Sequence, residues 1–199
     1  MRILIFLATL LFFQCKAQDM PTKSNTLPYQ QIPDYPTEYN GATIAARTID
    51  GLGYRYYWAT EGLRAEDLTY QTGEDARTTS ETLEHLLGLS KMIVHSMQEK
   101  ANVRPSEEAV LSFAEMRRQT LLNLETASNI LKKSTDQDLE KYKIIFQRDD
   151  TKSEFSFWHQ LNGPIADALW HTGQIVAFRR ASGNPINPKV NVFMGKTRE

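Results

Sequence analysis

Asp167 and His171 stand four residues apart in the stretch Asp167-Ala168-Leu169-Trp170-His171-Thr172-Gly173-Gln174-Ile175. On a helix that spacing stacks a carboxylate and an imidazole one turn apart on a single face. Such a pair can hold a divalent metal when a third donor arrives from another helix. His85, inside an earlier amphipathic segment, is the natural third ligand. An aspartate between Ala166, Ala168 and Leu169 on an inward face needs a partner, because an unpaired buried carboxylate is costly. Two histidines and one carboxylate answer that need and suit Zn²⁺, Ni²⁺, Mn²⁺ or Fe²⁺. Each residue alone also has a plain reading as a hydrogen-bonded core or boundary residue. Their conjunction is what points to a metal.

Gln174, one turn beyond the pair, either orients a ligand or bonds a neighbouring helix. His159 lies eight residues before Asp167, about two turns back on nearly the same face. The intervening Gly163-Pro164 disturbs that register, so His159 is placed on the substrate side of the metal. Glu61 and His159 are the candidate proton acceptors. His95, ten residues after His85, points about 80° away and is left out of the site. The chain carries no Gly-rich phosphate loop, serine elbow, cysteine motif or HExxH helix. Any catalysis is therefore expected to be metal-centred.

Four helical patterns must position these groups. The first begins at Thr37 and repeats Ile44, Ile49, Leu52, Tyr56, Ala59 and Leu63, with an aromatic cluster of Tyr54, Tyr56, Tyr57 and Trp58. The second starts at Thr79 or Ser80 and buries Leu83, Leu86, Leu87, Leu89, Ile93, Val94 and Met97. Asn102 to Pro105 breaks it. Pro105 with Ser106, Glu107 and Glu108 reads as the start of a third, which runs through Val110, Phe113, Met116, Leu121, Leu124, Ala127 and Ile130. Tyr142 to Phe146 alternates weakly, as a short strand or a packed loop. The fourth spans roughly 153–181, with Trp158, Leu161, Ile165, Leu169, Ile175 and Phe178 inward and a kink at Gly163-Pro164. The aromatics Tyr54, Tyr57, Trp58, Trp158 and Trp170 are expected mostly in the core, with one or two over the metal. Four such helices with modest connections predict an all-α chain, a four-helix bundle over 37–185.

The 199 residues suffice for one core, and 23 basic against 24 acidic side chains leave a net charge of −1. That balance lacks the basic excess of a nucleic-acid binder. Residues 1–17 read as a signal peptide: Arg2 precedes an apolar run from Ile3 to Phe13 that is too short to span a bilayer. Small residues at Cys15 and Ala17 favour cleavage after Ala17. Acylation at Cys15 is the rival outcome, although Phe12-Phe13-Gln14 lacks the small residues of a lipoprotein signal. The expectation is export to the periplasm or medium, in a mature chain free of cysteine. Residues 18–36 form a polar, proline-punctuated leader without a core of its own, and 186–199 a C-terminal tail.

The stretches Tyr56-Tyr57-Trp58-Ala59-Thr60-Glu61-Gly62-Leu63, Glu66-Asp67-Leu68, Thr79-Ser80-Glu81-Thr82-Leu83-Glu84-His85-Leu86 and Asp167-x3-His171-x-Gly173-Gln174-Ile175 resemble the DinB-like (YfiT-like) metalloenzyme superfamily over about residues 40 to 185. The resemblance implies an up-down-down-up four-helix bundle. It also implies a metal held by one histidine of the second helix and two of the last. His85 and His171 match two of those positions; Asp167 stands where the family usually has histidine. Members with known activity are thiol-dependent transferases or metal-dependent hydrolases, and export argues against the former. The implied function is metal-dependent hydrolysis or transfer on an unknown small molecule. The rival is a non-catalytic binding or interaction protein in which the three polar residues form a hydrogen-bond network. There the aromatic face of the first helix takes an apolar ligand or a second copy, and a homodimer through the first and fourth helices stays open.

Overall fold

The computed structural model describes residues 26–105 and 110–199. The signal peptide over 1–17, Cys15, the cleavage after Ala17 and the helix start at Ser106-Glu107-Glu108 lie outside the described residues.

Helix α1 covers Gly41–Thr60. It starts four residues later than Thr37 because Asn40 caps it, accepting from the Thr43 amide while Thr43 Oγ1 accepts from the Asn40 amide. One turn, α2 (Ala65–Leu68), follows. Helix α3 covers Thr79–Met97 behind a Thr78 cap that exchanges hydrogen bonds with Glu81. Helix α4 (Phe113–Leu131) is capped by Ser112, so Val110, expected inside it, lies before it and is 99% exposed. A short turn α5 (Trp158–Gln160) leads through a wide turn at Leu161–Ile165, kinked at the non-helical Gly163 as Gly163-Pro164 predicts, into helix α6 (Ala166–Ala181).

Contacts between the long helices give their directions. Arg117 Nε of α4 donates to Thr60 Oγ1 and Ser128 Oγ to the Ala46 carbonyl, so α4 runs against α1. Gln160 Nε2 donates to the Met92 carbonyl while Asp167 faces His85, so α6 runs against α3. Asn123 meets Ser90 between α4 and α3. Arg179, near the end of α6, holds the Ala59 carbonyl near the end of α1. Thus α1 and α6 point one way and α3 and α4 the other. Ile49, Leu52, Leu83, Leu86, Ile93, Leu121, Leu124 and Ile175 fill the space between them at 0–1% exposure. Each such side chain contributes about 1.5–3 kcal/mol by leaving water.

The chain is mostly helical rather than all-α. Strand β1 (Ala101–Arg104) occupies the expected break and pairs in parallel with β2 (Ile144–Arg148), the weakly alternating run. Strand β3 (Thr151–Phe155) returns antiparallel on β2 and takes the residues assigned to the start of the fourth helix. Its side chains find partners in the sheet: Glu154 pairs with Lys143 and Lys152, and Phe155 packs edge-on to Phe146. Two strands, β4 (Val190–Asn191) and β5 (Lys196–Thr197), make a hairpin of the tail. Trp158, Trp170 and Ile44 are corrections too, at 75%, 73% and 57% exposed. The wide turn and the three-residue α5 rotate Trp158 out of the inward stripe.

The leader is anchored rather than loose. Tyr29, at φ +72°, lays its ring against Gly53, where any Cβ would come within 2.5 Å of it. Its hydroxyl donates to the buried Asp50 at 3.0 Å, and Lys132 pairs with the other oxygen of that carboxylate at 2.8 Å. The Ile32 amide donates to the Gly195 carbonyl, joining leader and tail.

Candidate metal centre

Two elements build the centre. His85 sits on the second turn of α3, and Asp167 and His171 share the first turns of α6 on the facing side of the α3–α6 seam. His85 Nε2 lies 3.1 Å from Asp167 Oδ2, and His171 Nε2 lies 3.3 Å from Asp167 Oδ1. One donor atom from each residue falls within 4.8 Å of the others. The two rings meet edge-on with centroids 4.6 Å apart. Donors bonded to one tetrahedral ion at about 2.0–2.1 Å stand about 3.3 Å from each other. Each observed separation is close to that length, with Asp167 offering a different oxygen to each imidazole.

Gln174 decides the state of His171. Its Oε1 accepts from His171 Nδ1 at 2.7 Å, so Nδ1 carries the proton. In that tautomer Nε2 presents its lone pair 3.3 Å from Asp167 Oδ1. Two acceptors 3.3 Å apart repel unless a cation or a proton lies between them. The residues thus fit a divalent ion: two nitrogens, a carboxylate, and an outer amide that fixes a tautomer. Side-chain exposures of 30% for His85, 41% for Asp167 and 17% for His171 keep the seam open to water and small molecules.

The structure does not bring the two candidate proton acceptors to this cluster. Glu61 caps the far end of α1, where its carboxylate pairs with Arg117 and its carbonyl accepts from Arg179. Arg179 lies twelve residues beyond Asp167, about 18 Å along α6. His159 packs beside Phe155 and reaches Ser156 on the other side of the wide turn. His95 is likewise outside the cluster, bonded to Asn102.

Around Asp67 the sequence reading missed a polar cluster altogether. Asp67 accepts from the Arg64 amide and guanidinium, from Ser182 Oγ and from Asn184 Nδ2. The Arg64 side chain holds its carboxyl well below the usual carboxylate range, with help from Ser182 and Asn184. Arg179 is 3% exposed and donates to the carbonyls of Trp58, Ala59 and Glu61. It caps the C-terminal end of α1 across the fold. The signal was Asp67 itself, an acid one step from Leu68 in a segment with few apolar neighbours.

No protein-family model matches this chain, and no curated protein matches it.

Proposed function

We propose that this chain is an exported, DinB-like four-helix bundle of up-down-down-up topology whose work is done by a divalent metal on His85, Asp167 and His171. The reading is supported by the helix directions and above all by one observation. His171 Nε2 and Asp167 Oδ1, both acceptors in the Gln174-fixed tautomer, face each other at 3.3 Å. The reaction class is metal-dependent hydrolysis or group transfer on a small electrophile. A bound ion supplies Lewis acidity there, polarising a carbonyl-like group and acidifying water.

The protein's own groups divide the remaining tasks. Gln174 holds His171 in the tautomer that presents Nε2. Asp167 spans the two imidazoles and carries the negative charge that offsets the ion. The half-exposed seam admits a substrate from solvent. Neither Glu61 nor His159 touches the cluster, so the reaction is assigned no protein base.

The rival, a hydrogen-bond network in a binding module, keeps only part of its aromatic face: Tyr57 and Trp58 are half-buried, against Arg117 and the Gln30 carbonyl. Tyr54 and Tyr56 of the aromatic face are 0% and 1% exposed and serve the core. Among the described residues no helix is long and apolar enough to cross a membrane.

Elemental analysis of the untagged protein beside Asp167→Ala/His171→Ala tests the proposal. Near-stoichiometric metal in the first and none in the second is the expected result. No metal in either after reconstitution with Zn²⁺, Ni²⁺ and Mn²⁺ would overturn it and leave the network reading. Glu61→Gln and His159→Ala should retain full metal content.

A further inference from the structure

A second face of α3 carries an arrangement of a different kind. Asn102 in β1 donates Nδ2–H to the Ile145 carbonyl at 3.0 Å, which fixes the two ends of its amide. Asn102 Oδ1 is therefore an acceptor, and it accepts a hydrogen bond from His95 Nδ1–H at 3.0 Å. His95 is left with Nε2 for another partner. The side chain lines a cleft of about 790 Å³ between α3 and the β1–β2 end of the sheet. That volume is in the range of small-molecule sites.

Arg104 and Arg148 line the same cleft. They are direct partners in the parallel register of β1 and β2, so both side chains leave the same face of the sheet. Like charges placed opposite each other destabilise a sheet. Neither guanidinium pairs with an acid among the described residues. Asp149 also lines the cleft but neutralises only one unit of charge. Two unpaired forks side by side are suited to a tetrahedral oxyanion, which accepts from both at once. The chain as a whole is near neutral, so the charge is local and lacks the footprint of a polyanion binder.

We propose that this cleft binds a small organic phosphate, with Arg104 and Arg148 on the oxyanion and His95 Nε2 accepting from a hydroxyl beside it. Met92 gives the carbon part of the ligand an apolar wall. The site is separate from the metal centre: ten residues of α3, about 15 Å, part His95 from His85.

Calorimetric titration of the full chain, stripped of metal by chelator, with glycerol 3-phosphate and with inorganic phosphate tests the assignment. Both should bind saturably, the organic phosphate more tightly. Arg104→Ala/Arg148→Ala should weaken both by about tenfold or more. His95→Gln should weaken glycerol 3-phosphate and spare inorganic phosphate. Asp167→Ala/His171→Ala should change neither, which separates this site from the metal reading. Unaltered affinity in the double-arginine variant, or no saturation by either phosphate up to about 10 mM, would overturn the proposal.

Discussion

Asp67 and Asp167 are both carboxylates lodged between helices, and their surroundings could hardly differ more. Asp67 has a side chain that is 0% exposed and is given donors by Arg64, Ser182 and Asn184. Asp167 is 41% exposed and meets only two imidazoles. Every lone pair of the first is spoken for, so it can offer nothing to a ligand and acts as a joint between α2 and the end of α6. The second keeps acceptor capacity facing solvent beside nitrogens that can serve the same ion. What separates the two carboxylates is donor saturation together with burial, not charge.

Reciprocal substitutions would break the comparison if it is wrong. Asp167→Asn should lower metal affinity by about a hundredfold or more, since an anionic ligand is replaced by a neutral amide. Its urea midpoint in chelator should stay near that of the parent. Asp67→Asn should do the opposite, losing about 3 kcal/mol in urea unfolding while metal content stays intact. Loss of metal from Asp67→Asn at unchanged stability would reverse the two assignments.

A smaller effect sharpens the picture at its outer edge. Gln174→Leu removes the acceptor that fixes the His171 tautomer, and should cost about 10–100-fold in metal affinity without moving the thermal midpoint of the metal-free chain. Unchanged affinity would mean that His171 needs no such partner.

Acid unfolding provides the mildest test. The Asp67 carboxyl titrates lower in the folded chain than in the unfolded one, so the unfolded state binds more protons between those two values. Its contribution is full above the unfolded carboxylate value near about 3.9 and fades as pH falls below it. Urea titrations between about pH 5 and pH 2 should show a shallower acid limb in Asp67→Asn than in the parent. Parallel limbs would show that Asp67 is not the group responsible.

Much of the architecture was legible because it is local. The Leu83, Leu86, Ile93 and Met97 stripe marks α3 at helical period, although its cap is Thr78, bonded to Glu81, rather than Ser80. The Asp167–His171 pair was legible for the same reason, by spacing alone, whereas His85 joins it from another helix 82 residues away and was matched through the resemblance. The sheet was not. β1 pairs with β2 across more than forty residues, and β3 is exposed at every position, so no alternation betrays it. Trp158 misled because a tryptophan in a helical register reads as core until the wide turn shifts the register. The Tyr29 anchor was hidden in a polar leader, since its partner Asp50 shows no sign of burial in sequence.

The wide turn at Leu161–Ile165, with Gly163 at φ −96° and ψ −109°, has a mechanical consequence. Arg179 bolts the far end of α6 to the end of α1, so the rotational phase of α6 is set from behind. The turn then works as a slip joint, taking up whatever angular mismatch arrives from the strands before it. The segment before it and α6 follow separate helical phases, while Arg179 holds α6 where Asp167 and His171 face His85. The segment around Trp158 is thereby decoupled from the helix that carries Asp167 and His171.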